Sequence, residues 1–146
     1  MKRRITVEVI AGLLIFLFLY ASVSKLIDYQ KFRVQIGQSP LLTAYARWFA
    51  VIVPVLEIII SLMLAIPRLQ LIGFYASFNL MVMFTSYIIA ITNFSEYIPC
   101  SCGGILQNMT WNQHLLFNIF FVLISLSGIL LHSKSDFKTY NVLEYQ

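Results

Sequence analysis

The chain has 146 residues, of which 60% are hydrophobic and only 11% are charged, with a net charge of +4. An ordinary soluble domain carries roughly 25% charged residues, so this composition argues against a water-soluble protein and predicts helices embedded in lipid. The basic residues flank the apolar runs, where they set membrane topology, and a nucleic-acid partner is therefore not expected.

The first apolar run covers residues 5–24 and directly follows Lys2, Arg3 and Arg4. About 20 helical residues at a rise of about 1.5 Å each span a hydrocarbon core of about 30 Å. A cleaved signal peptide is the competing interpretation, but its apolar region usually has only about 7–15 residues. We therefore expect a retained transmembrane helix.

Residues 25–46 form the first predicted loop. Within it, Tyr29, Phe32 and Ile36 are three and four residues apart, which predicts a short amphipathic helix that Gly37 ends. Such a helix is expected to lie on the membrane surface or to cap the bundle.

Two further apolar runs cover residues 48–66 and 69–91. Pro67-Arg68 is a tight connection between them. Helices joined by so short a turn are expected to be antiparallel neighbours.

The second predicted loop covers residues 93–110 and is followed by a fourth apolar run over residues 111–132. Thr110 and Gln113 have the spacing of a capping box, which marks the start of that helix. The four runs together predict an all-α integral membrane four-helix bundle, a single domain of residues 1–146.

The distribution of lysine and arginine predicts the orientation in the membrane. The N-terminus has three lysine or arginine residues, the turn has Arg68 and the tail of residues 133–146 has two lysines, whereas residues 93–113 contain no lysine or arginine. Cytoplasmic segments are enriched in these residues, so we expect a multi-pass protein of the bacterial inner membrane with both termini cytoplasmic and both loops periplasmic. Basic residues in and beside the first loop weaken the contrast; they are Lys25, Lys31, Arg33 and Arg47.

The two cysteines, Cys100 and Cys102, are the main chemical signal in the sequence. Pro99 before them and Gly103-Gly104 after them favour the bend that a disulfide between residues two apart requires. So small a ring is expected to be strained and exchangeable, which favours redox chemistry over a structural role.

Two other interpretations of the cysteine pair stay open. A Cys-x-Cys sequence binds soft metals such as Cu(I), and His114 or Met109 would then be a further ligand. The pair is also compatible with two inert or purely structural thiols.

Glu57 lies near the middle of the second apolar run, where an ionisable group costs at least about 2.5 kcal/mol to insert and marks a functional site by default. Pro54, one turn earlier, leaves the Ala50 carbonyl without its helical hydrogen bond, so a polar pocket is expected here. The alternative is a protonated Glu57 that bonds to Asn79 and only holds the helices together.

Other polar residues have a functional and a structural interpretation. His114 and Asn118 share one face of the fourth helix, where His114 either assists thiolate formation or quinone binding, or merely packs at the interface. Arg47 either serves the same chemistry or snorkels to the interface, and Asn79 is expected to make an interhelical hydrogen bond. We assign the supporting pocket to Lys25, Arg47, Glu57, Asn79, His114 and Asn118.

Three short motifs lie in order along most of the chain. They are Ser24-Lys25-Leu26 with Asp28 and Phe32, then Pro54 to Glu57, then Cys100-Ser101-Cys102-Gly103-Gly104 followed by Trp111 and His114. They resemble the Ser/Gly-x-x-Lys-Leu-x-Asp, Pro-x-x-Glu and Cys-Gly-Cys-Phe-Gly segments of the MauE/DoxX-like redox-associated membrane proteins. Ser101 and Gly103 depart from the last of these segments, but both thiols are kept.

The resemblance implies a membrane bundle that forms or transfers disulfides outside the cytoplasm with a thioredoxin-like periplasmic partner. We therefore predict a thiol–disulfide oxidoreductase whose catalytic pair is Cys100 and Cys102. The sequence identifies no definite cofactor. With only one cysteine pair the chain needs another electron acceptor or donor, which is a quinone, by analogy with DsbB and vitamin K epoxide reductase, or a second protein. The alternatives are a non-enzymatic subunit of a larger membrane complex and a periplasmic copper handler.

Overall fold

The computed structural model describes residues 2–37, 43–94 and 110–143, and these residues are almost entirely helical. The α-helices are α1 (Lys2–Ile27), α2 (Tyr29–Gly37), α3 (Ala46–Ala65), α4 (Gln70–Phe94) and α5 (Trp111–Leu143), with a 3₁₀ turn at Thr43–Tyr45 before α3. All except α2 contain a stretch long and apolar enough to cross a membrane. The predicted all-α membrane four-helix bundle is confirmed.

The four long helices form a closed ring around one core. Helix α1 packs most extensively on α3, and α4 on α5, while contacts between α1 and α5 and between α3 and α4 complete the ring. The core side chains of α1 recur every three or four residues, as expected for one buried face of a helix; they are Val7, Ala11, Leu14 and Phe18. Much of the remaining apolar surface is exposed, which suits contact with lipid.

The turn between α3 and α4 follows from its proline. Ile66 has an extended backbone at φ −95° and ψ 115°, because the residue before a proline is disfavoured from helical geometry. The chain re-enters a helix at once, with the Leu69 amide donating to the Ile66 carbonyl at 2.9 Å. This short reversal makes α3 and α4 antiparallel neighbours.

The predicted capping box at the start of α5 is confirmed. The Thr110 amide donates to Gln113 Oε1 at 2.9 Å, and the Gln113 amide donates to Thr110 Oγ1 at 3.4 Å. These bonds satisfy amides that have no partner within the helix, and they fix where α5 begins.

Several helix ends differ from the sequence-based boundaries; α4, for example, continues to Phe94. Helix α1 continues to Ile27, so Lys25 lies in its last turn and not in the predicted loop. Helix α5 continues to Leu143, through much of the segment predicted as a polar tail. Apolar runs locate the lipid-embedded part of a helix, but the backbone hydrogen bonds can continue past it into polar sequence.

The amphipathic helix α2 is present with the predicted bounds, and it caps the bundle by docking on α3. Its apolar residues Phe32 and Ile36 are buried against Ala46, Ala50 and Val53 of α3, in a cluster separate from the main core. This docking brings the aromatic ring of Phe32 next to the last turn of α1.

Candidate functional site

A buried ion pair joins α1 to α3. Lys25 Nζ lies 2.6 Å from Glu57 Oε1. The Glu57 side chain is 1% exposed and that of Lys25 12% exposed, so both partners are largely shielded from the surroundings. Intramembrane ionisable residues normally face the bundle interior and pair with one another, and these two do both.

Two aromatic rings flank the Lys25 ammonium. Nζ lies 5.8 Å from the ring centre of Phe32 on α2 and 5.7 Å from that of Phe84 on α4. Both distances are within the range of cation–π attraction, which favours a charged ammonium away from water. The cation is therefore held by a carboxylate and two rings from three different helices.

Helix α5 adds two buried polar side chains at the same end of the bundle. His114 and Asn118 are 8% and 5% exposed, on one face of the helix as their spacing of four residues predicts. Both residues lie in the first turns of α5, and α5 packs against α1, whose last turn contains Lys25. We call Lys25, Glu57, Phe32, Phe84, His114 and Asn118 the polar centre.

One oxygen of the Glu57 carboxyl has no partner among the described residues. Oε1 accepts from Lys25, whereas the buried Oε2 has no hydrogen-bond partner in the described part of the chain. A buried oxygen without a partner is costly, by about 1–3 kcal/mol or more, and calls for an explanation such as a bound ligand or water. Within the described part of the chain, Oε2 is thus an acceptor without a donor beside a cation.

The backbone around Glu57 combines a broken and an added hydrogen bond. Pro54, one turn earlier in α3, is buried and has no amide to donate within the helix. One turn later, Ser61 Oγ donates to the Glu57 carbonyl at 2.9 Å. The predicted proline beside a buried carboxyl is therefore part of this site.

Two residues predicted for the pocket lie elsewhere. Asn79 is exposed, and its side-chain amide donates to the Tyr75 carbonyl of its own helix at 2.8 Å. Among the described residues it makes no bond to another helix or to Glu57, so that prediction is wrong there. Arg47 is exposed on the first turn of α3. Both side chains fall on helix faces that point away from the ring of packed helices.

The cysteines lie outside the described residues. Cys100 and Cys102 belong to the connection of residues 95–109, between Phe94 at the end of α4 and Thr110 before α5. Their assignment as a catalytic pair stays a prediction from the sequence. Among the described residues, no group of three His, Cys, Asp or Glu side chains is placed to hold a metal ion.

The sequence alone predicts neither the ion pair nor the position of the two aromatic rings. It places Lys25 in the pocket without identifying its partner, and it places Phe32 on the apolar face of α2 and in the first family motif. One available signal was charge: opposite charges in or beside two apolar runs of a small bundle are expected to pair. Phe84 had no such signal, because phenylalanine is common throughout this sequence.

No curated protein and no solved structure matches the chain at a significant level. The family model described as "Methylamine utilisation protein MauE" matches residues 3–131, from the first turn of α1 into the last turns of the fourth membrane-spanning stretch. This match includes every residue of the polar centre and both cysteines. It confirms the resemblance noted in the sequence, and the chain belongs to the MauE family.

Proposed function

We propose that this multi-pass membrane protein is a thiol–disulfide oxidoreductase that exchanges electrons between Cys100 and Cys102 and a periplasmic thioredoxin-like protein. Both termini are proposed to lie in the cytoplasm of a bacterial inner membrane, with the cysteine-containing connection outside, where disulfides persist. The family is named for methylamine utilisation, and the proposed role is to supply disulfide chemistry to that process.

The observation that supports the proposal is where the polar centre lies along the helices of the bundle. His114 follows the capping box at the start of α5, and α5 packs against α1, whose last turn contains Lys25. The polar centre therefore lies at the end of the bundle where the chain enters α5. The connection that contains both cysteines leads directly into that end.

The exchange balances for one cysteine pair and one partner. A thiolate of the pair attacks the partner's disulfide, and a mixed disulfide forms as one partner thiolate leaves. The second cysteine then attacks the mixed disulfide, which releases the partner as a dithiol and leaves a Cys100–Cys102 disulfide. Two electrons and two protons pass to the partner, and the reverse sequence returns them.

The test is to determine the redox state of the pair in cells and to trap its partner. Alkylation with a mass-tagged maleimide, with and without prior reduction, is expected to show two interconverting states of the wild-type chain. A Cys102→Ser or Cys100→Ser variant is expected to accumulate a mixed disulfide with a second protein that reductant dissolves.

The Cys100→Ser/Cys102→Ser double variant is the matched control, and it should form no adduct. Two permanently reduced thiols in cells, or full complementation of a deletion strain by the double variant, would contradict the exchange function and favour a scaffold role. Stoichiometric copper on the purified protein, lost in the double variant, would favour copper handling.

A further inference from the structure

We propose that the outer face of α4 binds the same face of a second copy of this chain, so that the protein forms a parallel dimer in the membrane. The proposal concerns the surface that a single copy presents to lipid. It depends neither on the cysteines nor on the polar centre.

The exposed side chains of α4 repeat with the spacing of a coiled-coil seam. Seven exposed residues lie alternately three and four positions apart; they are Ile72, Tyr75, Asn79, Val82, Ser86, Ile89 and Asn93. A repeat of about 3.5 residues keeps one row of side chains facing a partner helix that crosses at about 20°. We call these seven residues the α4 seam, and within the described part of the chain no other helix covers it.

Three residues of the α4 seam are polar and occupy the same position of the seven-residue repeat. Asn79, Ser86 and Asn93 follow one another at intervals of about 10 Å along the helix. Asn79 lies well inside Gln70–Asn93, a stretch apolar enough to cross a membrane. Its amide donates one hydrogen bond, to the Tyr75 carbonyl, and its side-chain oxygen accepts none from the described residues. Since lipid supplies no partner at this depth, the oxygen and the second N–H call for a polar group on another helix.

The outer faces of the other membrane-spanning helices have no such row. Among the described residues, the exposed positions within 9–23 of α1 and 51–62 of α3 are all apolar or glycine. Within 116–130 of α5 the exposed polar residue is Ser127, whose hydroxyl donates its proton to the Leu123 carbonyl at 2.8 Å. Lipid suits apolar side chains, so the exposed amides single out α4 as the face that gains from association.

The partner that matches this row is a second copy of α4. All copies insert in the same direction, because lysine and arginine fix the orientation, and two α4 helices therefore meet in parallel. In a parallel pair with two-fold symmetry, each seam position lies opposite itself. Each Asn79 amide then meets an identical amide that offers both a donor and an acceptor. An asparagine at such a position also fixes the register and the number of helices that associate.

Dimerisation can be measured by energy transfer between donor-labelled and acceptor-labelled copies of the full chain in lipid vesicles, as the protein-to-lipid ratio is lowered. Asn79→Val should weaken dimerisation about tenfold, because each dimer loses two amide hydrogen bonds. Ser127→Ala is the control, since it removes an exposed polar group from the outer face of α5. This variant should dimerise as the wild type does.

Cysteine cross-linking gives a second readout that leaves the asparagines in place. In a Cys100→Ser/Cys102→Ser background, Val82→Cys puts a thiol in the α4 seam, and Val55→Cys puts one on the outer face of α3. The two valines are similarly exposed, at 38% and 45%. Oxidation of the membranes with copper phenanthroline should link the Val82→Cys variant into dimers and leave the Val55→Cys variant monomeric.

Three results would overturn the proposal: monomers at every protein-to-lipid ratio, dimers of Asn79→Val as strong as those of the wild type, or equal cross-linking of the two cysteine variants. Cross-linking of Val82→Cys to a different membrane protein in cells, with no link between two copies, would also overturn it. That result would assign the α4 seam to a different partner.

Discussion

At the scale of single residues, the ion pair of Lys25 and Glu57 is the feature that most needs a reason. Desolvating two charges costs about as much as their attraction returns, and a well-packed apolar pair is often equally stable. Glu57 Oε2, which has no hydrogen-bond partner in residues 2–37, 43–94 and 110–143, adds a further cost. Stability alone therefore gives no reason to keep these groups, and a functional reason is the better explanation.

Removing one charge of the pair should destabilise the bundle. Glu57→Gln leaves the Lys25 ammonium without its counter-charge, and the loss of one partner of a buried pair costs about 3–5 kcal/mol. We expect the lower end of that range, because Lys25 is 12% exposed. Reversible unfolding in mixed micelles would measure the free energy of unfolding.

The matched control for Glu57→Gln is Glu8→Gln, at an exposed position of α1. It removes the same charge and should change stability by less than about 0.5 kcal/mol. The double variant Lys25→Met/Glu57→Leu should recover most of the stability that Glu57→Gln loses. Equal effects of the two glutamate variants would mean that the ion pair does not form.

At the scale of helices, the sequence predicts which helices exist and which of their faces are buried. It predicts less well where the helices end and which of their side chains pair. Four apolar runs predict the bundle, because a chain that crosses lipid must satisfy its backbone hydrogen bonds within long helices. One capping box predicts the start of α5, because its hydrogen bonds join residues that are close in sequence. The end of α1 was missed, and with it the position of Lys25. Which charges pair depends on how helices pack, and a single sequence contains no direct record of that contact.

The same limit explains which of the predicted pocket residues the structure brings together. His114 and Asn118 were placed together because their spacing alone puts them on one helix face. The sequence predicts that the Asn79 side chain faces the bundle interior, because polar groups in membrane helices often bond across helices. Its amide instead bonds to the Tyr75 carbonyl one turn back, a local solution that satisfies one donor of the side chain on an exposed face.

The contact between α4 and α5 depends on the absence of a side chain at Gly128. A Cβ atom placed there would lie 2.6 Å from Cε1 of Phe74, whose side chain is fully buried and cannot swing into free space. Gly128→Ala should therefore destabilise the bundle by about 1–3 kcal/mol, the usual cost of overpacking a core. Unfolding in mixed micelles would measure the difference from the wild type.

Gly12→Ala is the control for Gly128→Ala. Gly12 is also within a membrane-spanning helix, but a Cβ atom there would meet nothing within 4 Å. Alanine is the better helix former by up to about 1 kcal/mol, so this variant should be neutral or more stable. If both alanine variants are stabilising, α4 and α5 do not approach each other closely at Gly128.

At the scale of the whole molecule, the fold gathers distant parts of the sequence at one end of the bundle. The polar centre takes side chains from all five helices: the last turn of α1, the docked α2, the middle of α3, α4 and the start of α5. The cysteine-containing connection enters α5 at this end. A redox function outside the cytoplasm therefore requires this end of the bundle to face the periplasm.

That orientation can be measured by thiol labelling in intact cells. After reduction, a membrane-impermeant maleimide should label Cys100 and Cys102 from outside, because residues 93–113 contain no lysine or arginine to hold them in the cytoplasm. In a Cys100→Ser/Cys102→Ser background, Arg68→Cys places one thiol in the exposed turn between α3 and α4, at the opposite end of the bundle. This thiol should react only after the membrane is permeabilised. The opposite result, in which Arg68→Cys is labelled in intact cells while the native cysteines stay protected, would show the reverse topology. It would also remove the basis for a periplasmic partner.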